Sequence, residues 1–320
     1  MANHCGPWDN EFLELIKVSL EHVLKTTPPQ PTYGVHDIHV YLFFSTGGPL
    51  SHVQVAGHCL MHWTRQYLEG DRGEVNITTR VGINSKKLAR DALTACLSKD
   101  EDDVTAFLSK MPIVLGPYPD SEKDLFGSEF WEGRAGTLYF FAVLLEDPTA
   151  QVSEKILSDS IDQDERGWMF YDLELTGSGH GAIGITTQLV VATPSLALRL
   201  KTKLRAVLDL QVDGDWPSNI ASAGYDNPFL MQWCHGASRF VFSLKALWPY
   251  FPDMQGQIDH FLSLVTVEAT EEAKRLEPGD FSRADYGPAM AITFKYHSSV
   301  AWTWAVCEQK DPLMLVQTDI

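Results

Sequence analysis

The chain has 320 residues, 44% of them hydrophobic, and a formal net charge of −17 at pH 7. So acidic a composition argues against nucleic acid or an anionic membrane as partner, because phosphate recognition needs clustered positive charge. The length exceeds one minimal domain yet suits a single large core, and no apolar run approaches the roughly 18 residues that cross a bilayer as a helix.

The cysteines Cys5, Cys59, Cys96, Cys234 and Cys307 are scattered and odd in number. With no CxxC pair among them, they predict neither a disulfide framework nor a zinc ribbon. The opening Met1 to Glu11 lacks the basic and apolar regions of a signal peptide, so a reducing, cytoplasmic location is the expectation.

In chain order, Asp9 or Asn10 can cap a first helix with Phe12, Ile16, Leu20 and Val23 on one face, and Pro28, Pro29 and Pro31 end it. The alternation from His36 to Phe44 is too irregular for a strand. The turn Ser45 to Pro49 predicts a second helix carrying Leu50, Val53, Ala56, Leu60, Trp63 and Tyr67 on one stripe. Between Glu69 and Phe130 the pattern weakens, with helices expected over Lys86 to Leu97 and Val104 to Leu108. Asp100-Glu101-Asp102-Asp103 between them matches the DxDD acid motif of class II terpene cyclases. Its flanks, Ser98-Lys99 and Thr105, are polar, and acidic residues at a helix start ordinarily serve as solvated partners of the helix dipole.

Beyond Phe130 glycine turns alternate with apolar runs. Gly133 to Tyr139 leads into Phe140 to Leu145, with Val152, Ile156 and Leu157 on a return helix. Gly177 to Gly184 opens Ile185 to Ala192, with Pro194 as the stop and Leu200, Leu204, Val207 and Leu208 on the return. Asp213 to Ser218 is a turn cluster, and Gln232-Trp233-Cys234-His235-Gly236 precedes the largely apolar run Phe240 to Trp248, which Pro249 and Pro252 break. Ile258, Leu262, Val265 and Ala269 form another amphipathic face, and Asp285 to Pro288 opens a last apolar run to Val306. Successive glycine turns lie about 45 to 55 residues apart, the signature of a helical-hairpin array, with one marker lost near Gly82 to Leu93. If the array closes, its turns gather at one rim and bring His180, Cys234 and His235 together. A thiol beside an imidazole at a helix mouth is a candidate metal ligand or nucleophile; buried packing of Cys234 and helix capping by His180 are the plainer alternatives.

These turns resemble the repeat motifs of the lanthionine synthetase C-like (LanC-like) family. Gly-Arg-Ala-Gly-Thr-Leu-Tyr (133–139), Gly-His-Gly-Ala-Ile-Gly-Ile (179–185), Gly-Asp-Trp-Pro-Ser (214–218) and Gln-Trp-Cys-His-Gly-Ala (232–237) match in order and spacing, and Trp-Cys-His-Gly is closer to the eukaryotic branch. The resemblance implies an all-α fold, an α/α toroid of inner and outer helices with about six hairpins, possibly incomplete. It implies one domain over 1–320, with an N-terminal helix and linker at 1–35 and a divergent C-terminal repeat at 278–320. It further implies zinc that binds a substrate thiol, glutathione or a Cys peptide, for addition to a dehydroalanine or dehydrobutyrine. By position Cys234 matches a zinc ligand and His180 the proton-transfer histidine. Zinc makes thiolate available near neutrality, and an imidazole can protonate the resulting enolate.

The sequence departs from that pattern where the family supplies its other two ligands from a Cys-His-Gly one repeat later. Asp285 to Ala291 reads Asp-Tyr-Gly-Pro-Ala-Met-Ala here, and Gly236 is followed by Ala-Ser-Arg. Catalytic zinc normally keeps three protein ligands; His235, Asp285, His297 and Cys307 are the substitutes available. Three functions therefore stand side by side: a thiol-adding enzyme with an altered site, a non-catalytic glutathione- or peptide-binding accessory protein, and a natural-product biosynthesis protein on the same scaffold. A segment after Pro278 that comes from a wrong gene model or splice form is a further reading.

Overall fold

A computed structural model describes residues 10–26, 28–29, 50–69, 81–83, 85–116, 127–141, 150–161, 167–170, 173–212, 216–220 and 237–263. The described residues are mostly helical, with few short strands. The chain divides into two compact units, residues 1–75 with 279–320, and residues 76–278. None of the helices among the described residues is long and apolar enough to cross a membrane.

In the first unit, α1 (Asn10–Thr26) buries Leu20 and Val23, two of the four residues expected on its apolar face. The helix expected from Leu50 starts later. A two-stranded hairpin, β1 (Gln54–Val55) and β2 (His58–Cys59), precedes α2 (Leu60–Glu69). Gln54 pairs with Cys59 and Val55 with His58, leaving Ala56 and Gly57 as the loop, both at positive φ (49° and 81°). Two such residues in succession twist the strands correctly for a tight hairpin, and they cannot continue a right-handed helix. The spacing of Val53, Ala56 and Leu60 fits a helical stripe, but the turn takes precedence. Trp63 Nε1 donates to Val55 O at 2.9 Å and ties α2 to the hairpin.

The second unit carries the glycine turns. It begins with a helical pair, α3 (Lys86–Ser98) and α4 (Glu101–Leu108), the second starting three residues before the expected Val104. The tight connection depends on Lys99 in the left-handed region (φ 54°) and on Asp100, whose side chain accepts from Asp102 N at 2.8 Å. Glu101, Asp102 and Asp103 occupy the first turn of α4 as dipole partners, and Glu101 and Asp102 are exposed. The acidic tetrad is a helix cap.

A short helix α5 (Met111–Leu115) follows, then α6 (Arg134–Tyr139), α7 (Ala150–Ile161), a hairpin of β3 (Met169–Phe170) and β4 (Leu173–Glu174), α8 (Ala182–Ala192), α9 (Ala197–Leu208) and α10 (Ala237–Leu247). Residues 255–263 are again helical. The helices α6, α8 and α10 pack in succession, α6 on α8 and α8 on α10, while α7 lies against α6 and α9 against α8. The burial pattern explains the roles. Nearly every residue of α8 is buried, whereas α9 buries only Ala197, Leu200, Leu204, Val207 and Leu208. An all-round apolar helix must be covered on all sides, and a one-sided helix covers it. On the outer side Arg199 pairs with Glu154 at 2.8 Å, and Lys201 pairs with Asp253.

The glycine-turn helices also start earlier than expected. The run expected to start at Ile185 belongs to a helix that already begins at Ala182, and α6 spans Arg134–Tyr139, ahead of the run expected from Phe140, so Gly136 and Gly184 lie inside the first turns of their helices. Glycine is needed there by close approach: a Cβ on Gly136 would strike the Phe130 carbonyl, and one on Gly184 the Ser178 carbonyl. The lost marker near Gly82 is also clarified. Gly82 packs against the Phe130 and Trp131 backbone, and α3 starts after Ser85.

Candidate functional site

The loops ahead of α6 and α8 meet side by side. Phe130 N donates to Gly179 O at 3.1 Å, joining one loop to the next, and Thr176 N donates to Ser218 O at 3.1 Å in the same manner. Each loop also caps its own helix. Arg134 N and Ala135 N donate to Gly127 O and Ser128 O; Ala182 N and Ile183 N donate to Leu175 O and Thr176 O. These bonds satisfy leading N–H groups that a helix cannot pair internally. The buried guanidinium of Arg134 donates from Nε to Val114 O at 2.9 Å and from Nη2 to Gly116 O, so it closes the carbonyl end of α5.

His180 sits where the two loops touch. Its Nδ1 lies 2.7 Å from Glu129 Oε2, and its ring stacks on Phe170 at 4.2 Å between centroids with 22° between planes. The Glu129 carboxylate also accepts from Trp131 N at 2.8 Å and from Glu132 N. An ionised carboxylate has only lone pairs to offer. The imidazole must therefore donate Nδ1–H to it, and the neutral ring keeps its free lone pair on Nε2. Burial differs in the useful sense: the side chain of Glu129 is 2% exposed and that of His180 24%. A buried carboxylate orients the ring while the ring itself reaches solvent. This is how a carboxylate fixes the tautomer of a histidine that transfers protons or holds a metal.

The β3–β4 hairpin presents Phe170 to the ring and is anchored at its root. Trp168 Nε1 donates to Ile156 O at 2.8 Å, and Lys203 Nζ lies 4.1 Å over the Trp168 ring. Burial pulls the Lys203 ammonium below the ordinary lysine range, with the charge of Glu174 opposing. Behind the site, Ser178 Oγ and Ser243 Oγ lie 3.0 Å apart and link the loop to α10. Trp216, from the Gly-Asp-Trp-Pro-Ser stretch, is buried and stacks on Phe240 at 4.1 Å with 7° between planes. That motif residue packs the core.

Of the residues singled out from sequence, His180 is placed in a built environment. Cys234, His235, Asp285, His297 and Cys307 lie outside the described residues. Among the described residues no group of three or more His, Cys, Asp or Glu side chains is arranged to hold a metal ion. Glu129 and Phe170 were not anticipated. Glu129 lies in a stretch without helical or strand periodicity, and only alignment of Gly133-x-x-Gly136 on Gly181-x-x-Gly184 would have drawn attention to it. No protein-family model matches the chain, and no curated protein matches it significantly.

Proposed function

We propose that the chain is a LanC-like helical-hairpin protein, closed into an α/α toroid, that adds a thiol such as glutathione or a Cys peptide to a dehydroalanine- or dehydrobutyrine-type acceptor. The observation that carries this reading is the Glu129–His180 pair, a partly exposed imidazole oriented by a buried carboxylate. In the reaction Nε2 of His180 takes the thiol proton. The sulfur then bonds to the β-carbon of the acceptor, the C=C electron pair moves toward the α-carbon, and His180 returns the proton there. Atoms and electrons balance with no oxidant or reductant. Glu129 stabilises the imidazolium between the two proton transfers.

Zinc belongs to the same reading through Cys234 and would supply thiolate near neutral pH. Cys234 and the other candidate ligands lie outside the described residues; both proton transfers are assigned to His180, with Glu129 orienting its ring.

The test is incubation of the protein with glutathione and a dehydroalanine peptide, followed by mass analysis of the peptide. Adduct formed by wild type, falling about 100-fold or more in His180→Ala, supports the reading, since general acid–base groups contribute about 10²–10⁴-fold. Absence of adduct above the uncatalysed background, with glutathione still bound in a calorimetric titration, would favour the accessory-protein alternative.

A further inference from the structure

The loops ahead of α6 and α8 are two copies of one backbone turn, and a carboxylate fills only the first. There Glu129 folds back onto its own turn, and the N–H groups of Trp131 and Glu132 donate to it. The copies agree in their helix-capping bonds and in the close packing of their glycines. The leading N–H groups of both helices bond to carbonyls at the same positions of their loops. A Cβ at Gly133 would run into Gly127 O and the Glu129 backbone, and one at Gly181 into Leu175 O and Gly177 N. Both glycines are extended, Gly133 at φ −107°, ψ −176° and Gly181 at φ −119°, ψ −175°. The second copy adds one bond, from Gly181 N to Gly177 O at 2.8 Å.

This register sets Gly177 opposite Glu129, and Gly179 and His180 opposite Trp131 and Glu132. The second turn therefore keeps the two donors and lacks the carboxylate. Among the described residues nothing accepts from the backbone N–H of Gly179 or His180, although Gly179 is buried. Buried backbone donors in native proteins are almost always paired. The helix terminus proper is already used, since Ala182 N and Ile183 N are bonded to Leu175 O and Thr176 O.

We propose that the N–H groups of Gly179 and His180 form a cradle for the carboxylate of a ligand, which takes the place that the Glu129 side chain occupies in the twin turn. Successive N–H groups of this kind bind anionic oxygens, and a carboxylate gains charge-assisted bonds from both. The ligand is then held by the same residue whose imidazole faces solvent. Only the step that makes this ligand glutathione or a Cys peptide rests on the thiol-addition reading.

The test is an amide-detected NMR titration of the full chain with sodium acetate, with sodium chloride at equal ionic strength as control. Acetate is expected to move the Gly179 and His180 amide protons downfield in a saturable way, and chloride is expected not to. In Gly177→Glu the new side chain fills the cradle, so both amides start downfield and no longer respond to acetate; in Gly177→Ala the response remains. Wild-type amides that do not move, that move equally with chloride, or that still move in Gly177→Glu overturn the proposal. Should Gly177→Glu fail to fold, the wild-type and Gly177→Ala titrations decide the matter, loss of the response in Gly177→Ala counting against it. Acetate binding needs no turnover, so an inactive protein that gives these shifts would overturn the thiol-addition reading and leave the cradle standing.

Discussion

The turn ahead of α6 and the turn ahead of α8 share a backbone and differ in side chains. The first is filled from within: Glu129 occupies its centre, and Arg134 closes the neighbouring α5. The second has Gly177 and Ala182 at those positions, and there His180 reaches solvent. Glycines and helix-capping carbonyls set the geometry, so the side chains at the turn's centre are free to vary. One copy has become structural and the other is open to a ligand.

The largest effect is expected from the glycines that the two turns share. Gly136→Ala and Gly184→Ala each drive a Cβ into a backbone carbonyl, which cannot rotate aside as a side chain could. Each should lose about 3 kcal/mol in urea unfolding, as overpacked cores do. Comparable losses would support equivalence of the turns, and a loss confined to one would break it. Next is Arg134→Ala, which leaves the carbonyls of Val114 and Gly116 without their charged donor. A loss of about 2 to 3 kcal/mol is expected in the same measurement, with no counterpart at position 182, which is already alanine.

A smaller effect separates Tyr139 from Thr187, its counterpart along α8. Burial raises the Tyr139 hydroxyl well above the ordinary tyrosine value of 10.0, with Cys96 adding to the shift. The folded state therefore holds a proton that the unfolded chain releases above about pH 10. This contribution is complete below that pH and is lost as the pH rises further. Tyr139→Phe should accordingly flatten the fall of stability above pH 10 and leave its pH dependence near neutrality unchanged. An unaltered alkaline profile would show that the hydroxyl does not titrate with unfolding.

The sequence made the helices legible where periodicity and composition agreed. Lys86 to Leu97, the apolar Ile185 to Ala192 and the one-sided return through Leu200, Leu204 and Val207 all lie in helices of the expected kind. The hairpin at Gln54–Cys59 was hidden because its apolar spacing also fits a helix, and the deciding feature, positive φ at Ala56 and Gly57, is a property of two residues. His180 could be singled out as a histidine in a glycine turn. Its carboxylate partner could not, because Glu129 lies 51 residues earlier and becomes a partner only when the loops ahead of α6 and α8 meet. Local pattern records which segments form helices; contacts between loops distant in sequence determine what a turn can do.

Glu129 holds His180 with Nε2 free. Long-range ¹H–¹⁵N NMR of the imidazole reads this directly at a pH where the ring is neutral. A protonated Nδ1 and an unprotonated Nε2 are expected in the wild type, with Glu129→Gln moving the ring toward the Nε2–H form. A wild-type spectrum dominated by Nε2–H, or one that Glu129→Gln leaves unchanged, would contradict it.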